Sequence, residues 1–158
     1  MANKIKRGFT LIELLMVIVI IAVLVAIALP KYIDTIDIAL GKRAYDSMQM
    51  IYAAQLRFAA DNKGQFASNF NALDVKFPSA TVDSHALNYM NFGNKFYVII
   101  GGTTITSQGL PNYTITFDLA NETKTCTVVS NANTTKGARV CRALGGEATS
   151  TNGVYNLR

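Results

Sequence analysis

Gly8-Phe9-Thr10-Leu11-Ile12-Glu13 is followed by Leu14 to Leu29, sixteen apolar residues without interruption. This stretch decides the fold, because it places one carboxylate, Glu13, at the head of a hydrophobic segment close to membrane-spanning length. A charged side chain in such a segment costs about 2.5–3.5 kcal/mol at a bilayer centre and less near an edge, so it marks a functional site whose partner has to be named. Lys4, Lys6 and Arg7 precede the segment. Basic flanks stay in the cytoplasm, which puts everything after Leu29 outside. The expected organisation is a short leader at 1–8, an apolar helical half at 9–30 and an exported domain at 31–158.

Two other targeting readings fit part of this stretch. An ordinary secretory signal would be removed after Ala28, in Ala26-Ile27-Ala28, and a permanent membrane anchor would stay. The first has no use for a carboxylate at the head of its apolar region. The second is slightly short at sixteen residues. The run also feeds directly into an amphipathic pattern, where a secretory signal would end in a small-residue linker.

Helical spacing continues beyond Pro30. Ile36, Leu40, Ala44, Met48, Ile51 and Phe58 form one apolar stripe, while Asp34, Asp37, Lys42, Asp46, Gln49, Arg57 and Asp61 mark a polar one. The Asn62-Lys63-Gly64 cluster stops the helix, with Gly64 free to take a left-handed cap. One helix from Phe9 to about Asn62 would run about 80 Å at ~1.5 Å per residue. Pro30 and Gly41 are its weak points: proline removes a backbone hydrogen bond, and a mid-helix glycine costs roughly 1 kcal/mol against alanine. The pattern alone implies a kink at the membrane surface.

Residues 64–93 carry no sustained period and read as a connection, with one helical turn at Asn69–Val75 ended by Pro78. The period then changes to two. Lys95–Ile100 reads as a strand bounded by Gly101-Gly102, Tyr113–Leu119 as a strand with one buried face, and Thr123–Val129 as its partner across Ala120-Asn121-Glu122. Lys136–Leu144 reads as a short helix carrying Cys141, and Val154–Leu157 as an edge strand. The class is α+β, an antiparallel meander laid on the apolar stripe of a long N-terminal helix.

Charge and chemistry narrow the function. The net charge of +5 comes from 15 basic and 10 acidic side chains. Without Lys4, Lys6 and Arg7 the balance is 12 against 10, so the basicity is mostly a targeting signal and weak support for a nucleic-acid partner. Lys124, Lys136, Arg139 and Arg142 form a basic cluster without aromatic interleaving, more in keeping with a solvated rim than a DNA site. Cys126 and Cys141 lie in the exported part, where a disulfide is the leading reading beside free thiols or metal ligation. A metal would need more donors, and the single histidine, His85, is distant in sequence. No metal or cofactor is expected. His85 has no partner at catalytic spacing, Gly101-Gly102 follows no phosphate-binding pattern, and the three sequons at Asn112, Asn121 and Asn133 are frequent by chance in a Thr/Asn-rich chain. An enzyme is not expected.

The basic leader, Gly8, Phe9-Thr10-Leu11-Ile12-Glu13, the aliphatic run and Pro30 together resemble the class III signal of type IV pilins and pseudopilins. The resemblance covers residues 4–30 and departs from the family pattern nowhere. It implies cleavage between Gly8 and Phe9 by a prepilin peptidase and N-methylation of Phe9. It also implies that Glu13, poorly partnered in lipid, meets the Phe9 amine of a neighbouring subunit in a filament. The implied fold is the pilin one, with a long N-terminal helix packed by its C-terminal half on an antiparallel sheet and a C-terminal loop closed by Cys126–Cys141. In that light Pro30 and Gly41 become points where the helix bends or melts as the subunit leaves the bilayer. The implied partners are further copies of the chain, the prepilin peptidase, the inner-membrane assembly platform and membrane lipid before assembly. The chain would begin as a single-pass precursor in a bacterial inner membrane and end in an extracellular filament for adhesion, twitching motility or DNA uptake. A secretion-system pseudopilin, or a minor pilin acting as a DNA-binding or adhesive tip, is the alternative within the same resemblance. The paired cysteines and the few acidic residues near the C-terminus favour a pilin.

Overall fold

A run of sixteen apolar residues joined to an amphipathic stripe gives the chain one dominant element. In the computed structural model, which describes residues 9–76, 80–82, 86–91, 94–110, 112–129 and 135–158, helix α1 spans Leu11–Asp61 without a break. Pro30 and Gly41 both lie inside it. The helix closes with the Asn62 N–H donating to Phe58 O at 3.0 Å and the Gly64 N–H donating to Ala59 O at 2.8 Å. This six-to-one closure is the Schellman pattern. Lys63 (φ 56°) and Gly64 (φ 82°) are both left-handed, so the cap begins one residue before the expected Gly64.

The chain divides into two compact units, Met1–Ile36 and Asp37–Arg158. In the second unit, α1 buries Leu40, Gly41, Ala44, Ser47, Met48, Ile51, Ala54, Gln55 and Ala59, which reproduces the centre of the expected stripe. Ile36 and Phe58, at its ends, are half-buried. Gln55 is fully buried and satisfied: its Nε2 donates to Ala67 O at 2.9 Å and its Oε1 accepts the Ala67 N–H at 2.8 Å. One side chain thereby replaces a backbone pair and ties the segment after α1 onto the helix. The helical turn expected at Asn69–Val75 is a 3₁₀ turn, Phe70–Ala72, started by Asn69. Pro78 lies outside the described residues.

Among the described residues, eight antiparallel strands make one sheet: β1 Ala80–Val82, β2 Ala86–Asn91, β3 Asn94–Gly101, β4 Thr104–Gln108, β5 Tyr113–Asp118, β6 Thr123–Val128, β7 Glu147–Ala148 and β8 Val154–Asn156. Their order is β1-β2-β3-β4-β5-β6-β8-β7. The first six form a meander. The chain then passes through helix α2, Lys136–Ala143, before its last two strands. Strands β3, β5, β6 and β8 and helix α2 match the expected elements, whereas β1, β2, β4 and β7 were not expected. Strand β8 is also not an edge. It pairs with β6 through Cys126↔Tyr155 and with β7 through Ala148↔Tyr155, because residues 147–148 supply a further strand outside it.

Alternation builds the core. Tyr113, Ile115 and Phe117 of β5 point to the buried face, as do Cys126 and Val128 of β6. Phe117 stands edge-on to Tyr45 and Tyr52 of α1, with ring centroids 5.5 and 6.1 Å apart, a geometry the ring quadrupoles favour. Ser107 is buried and accepts the Ile115 N–H at 2.8 Å, just past the last paired residues of β4 and β5, Thr106↔Thr116. Thr135 caps α2 by accepting the Ala138 N–H. The disulfide Cys126–Cys141, with Cα atoms 5.6 Å apart, joins β6 to α2.

Gly41 sits where three elements meet. A Cβ there would lie 2.5 Å from Val140 Cγ1 of α2 and 2.9 Å from Tyr113 Oη. The Tyr113 hydroxyl donates to Asp37 O, one turn earlier in α1, at 3.3 Å. Gly41→Ala adds helix propensity worth roughly 1 kcal/mol but overpacks a filled contact at a cost of about 1–3 kcal/mol. We expect a net loss of stability in chemical unfolding of the detergent-solubilised chain; a higher midpoint would show that Val140 and Tyr113 yield freely. Replacing both cysteines by alanine should lower stability by about 3 kcal/mol, the chain-entropy value for a loop of this length, in the same measurement.

Candidate functional site

The first part of α1 presents large apolar side chains that are exposed among the described residues. Leu14, Ile18, Leu24 and Ile27 are 57, 56, 62 and 62% exposed, although side chains of this type are ordinarily among the most buried. By length and composition, α1 is a helix able to cross a membrane.

The helix begins on a reciprocal cap. Thr10 stands just before the first helical residue, and its Oγ1 accepts the Glu13 N–H at 3.3 Å. Glu13 reaches back, so that its Oε2 accepts the Thr10 N–H at 3.0 Å and the Thr10 hydroxyl at 2.9 Å. This is a capping box, in which each residue's side chain accepts the other's backbone N–H and two orphan donors of the helix start are satisfied. The carboxylate also lies in the first turn, where the helix dipole favours negative charge. Glu13 therefore has hydrogen-bond partners inside its own chain, both on Thr10. Both bonds end on Oε2; among the described residues, Oε1 accepts none. Phe9, immediately before the cap, is 81% exposed. Gly8 and the leader lie outside the described residues.

The capping box was legible and missed. Thr10-Leu11-Ile12-Glu13 has the threonine-to-glutamate spacing directly ahead of an apolar run that signals it.

Elsewhere the surface offers little chemistry. Of the basic cluster, Lys124 is committed inward: its Nζ lies 5.3 Å from the Tyr52 ring centroid and 5.5 Å from that of Phe117, and donates to Gln49 Oε1 at 3.3 Å. Arg142 Nε donates back to Ala138 O within α2. A shallow groove beside α1, lined by Met50, Ala53, Arg57, Asp74, Val75 and Lys76, is crossed by a two-pronged ion pair. Arg57 Nε and Nη2 donate to the two Asp74 oxygens at 2.8 Å each, and the guanidinium holds the Asp74 carboxyl below its ordinary range. Both side chains remain more than half exposed, where such pairs contribute little. Asn112 and Asn121 of the sequons are exposed, but Asn121 Nδ2 is engaged with Asp118 Oδ2 at 2.8 Å. His85 and Asn133 lie outside the described residues. Among the described residues no three His, Cys, Asp or Glu side chains gather as a metal site would require.

Residues 3–29 match the family described as the prokaryotic N-terminal methylation motif. Fimbrial protein Q of Moraxella bovis is 29% identical over 154 residues, covering 90% of this chain and 89% of that protein. A fimbrial protein of Moraxella nonliquefaciens is 37% identical over 83 residues, 49% of this chain and 54% of that one. A type IV narrow pilus major component of Thermus thermophilus is 64% identical over 31 residues, 20% of this chain and 27% of that protein. No solved structure matches the chain significantly.

Proposed function

We propose, taking as premise that the chain belongs to the type IV pilin family, that it is a structural subunit polymerising into a cell-surface pilus. One observation carries this reading: a methylation-motif match over residues 3–29 coincides with an uncovered apolar helix whose single carboxylate is held in its first turn. A likeness running through 90% of the chain to a fimbrial protein supports the same role for the rest. The family's work is structural, and we propose no enzymatic activity.

In this reading residues 1–8 are the leader, 9–30 the part housed first in lipid and then among neighbouring helices, and 31–158 the exported pilin domain. Prepilin peptidase cuts between Gly8 and Phe9, and the new Phe9 amine is methylated. The leader faces the cytoplasm, as Lys4, Lys6 and Arg7 direct, and the assembly platform of the inner membrane receives the processed subunit. Pro30 is one point of bending, since its ring offers no N–H to the carbonyl one turn back. Gly41 is the second such point, and its missing side chain also makes room for Val140 and Tyr113.

Assembly then rests on Glu13 meeting the Phe9 amine of a neighbour. The apolar side chains of Leu14–Leu29 pass from lipid to a bundle that is equally apolar, so their ~1.5–3 kcal/mol each, counted from water, nearly cancels. A buried ion pair adds little net stability, because desolvation offsets the attraction, but it fixes register. Glu13→Val should insert and be processed normally, yet yield few sheared filaments; wild-type filament yield would remove the ion pair from the mechanism. Gly8→Leu should leave uncut precursor, visible as a larger species on a denaturing gel, and normal trimming would remove the peptidase assignment.

A further inference from the structure

We infer that Thr10 is a positioning residue for assembly: by holding Oε2 of Glu13 in the capping box, it leaves Oε1 turned free for the incoming amine. The inference rests on the ion-pair reading above and adds to it a division of labour between the two carboxylate oxygens. Three hydrogen bonds carry it. The Thr10 N–H and hydroxyl both end on Oε2, and the Glu13 N–H ends on Thr10 Oγ1. Among the described residues, Oε1 is bonded by none.

The arrangement answers two demands that a dry environment makes together. The first-turn N–H groups have no intrahelical acceptor, and in hydrocarbon no water replaces one. A buried carboxylate that pairs with an amine also leaves lone pairs to be satisfied, and an ion pair is tolerable only when further hydrogen bonds fill them. With Oε2 occupied by Thr10, the neighbour's amine completes the carboxylate instead of replacing its cap. Nothing is broken on assembly, so the subunit enters the filament without first exposing an orphan donor. A glutamate lacking this tether would sample several rotamers of a flexible side chain and have to be ordered at docking. Thr10 thus contributes to the ion pair without touching the amine.

Substitutions separate the tether from the charge. Thr10→Val keeps the shape and removes the hydroxyl; Thr10→Ser restores it; Glu13→Gln keeps a capping-box acceptor and removes the negative charge. Each variant is co-expressed as the full chain with a tagged wild-type copy. The ratio of variant to wild type in sheared filaments is divided by their ratio in the processed membrane pool. Thr10→Val should be under-represented about fivefold, the usual worth of a cap read as an equilibrium constant, and Thr10→Ser should return to within error of wild type. Incorporation of Thr10→Val at the wild-type ratio would overturn the inference. So would under-representation of Thr10→Ser equal to that of Thr10→Val, since a hydroxyl role cannot be lost by serine. Failure of Thr10→Val to be cleaved would overturn it as well, placing the residue in peptidase recognition. Glu13→Gln at the wild-type ratio would instead sink the ion pair itself; loss of Glu13→Gln with normal Thr10→Val would sink the tether alone.

Discussion

A carboxylate at the start of an apolar helix has to be satisfied by something other than water, and the first turn of α1 satisfies it from within. The three bonds between Thr10 and Glu13 deal at once with a charge and with N–H groups that any helix leaves orphaned at its start. They also place the charge at the favourable end of the helix dipole. In a bilayer a carboxylate so partnered would cost less than an unpartnered acid, and least near an edge.

The second half of the same helix obeys different rules, because it has a sheet to pack on. There the buried positions include the small residues Gly41, Ala44, Ser47, Ala54 and Ala59, and at Gly41 the missing side chain admits Val140 of α2 and Tyr113 of β5. Large side chains fill from the sheet side: Tyr113, Phe117 and Tyr155 are the largest fully buried ones. Among the described residues, buried polar side chains are few and each is matched. Gln55 takes both halves of a backbone pair, and Ser107 takes the N–H of Ile115. The disulfide fastens α2 to β6, so the last third of the chain is held to the meander by a covalent link as well as by pairing of β8 with β6.

Period was the reliable signal in this sequence, and where period was weak the fold was hidden. The stripe from Leu40 to Ile51 and the alternation from Tyr113 to Asp118 were legible because large apolar residues recur with only one spacing that fits. Strand β4 alternates too, but Thr104-Ile105-Thr106-Ser107-Gln108 offers a single large aliphatic, and its inward Ser107 reads as polar. Strands β7 and β8 are two and three residues long, too short for any period, so their order across the sheet could not be read. Gly41 looked like a flexible point by composition. It also makes a tertiary contact with residues seventy-two and ninety-nine positions later, which local pattern does not encode. The capping box is the opposite case: it is wholly local, and its spacing stood in plain view beside a louder motif.

Selectivity in assembly follows from what the apolar tail does not distinguish. Lipid chains and a helical bundle offer the side chains of Leu14–Leu29 nearly equal surroundings, so any apolar helix of that length would be accepted on hydrophobic grounds alone. Discrimination must come from groups for which lipid and bundle differ, and between Leu11 and Leu29 the carboxylate of Glu13 is the candidate. A charge that adds little net stability but tolerates a single partner geometry is suited to setting register. Holding one oxygen in the cap sharpens that geometry further, since the free oxygen then has a fixed direction relative to the helix axis. In the proposed filament, specificity at this position would be a property of Thr10 and Glu13 together, and the aliphatic run would supply the dry setting in which it matters.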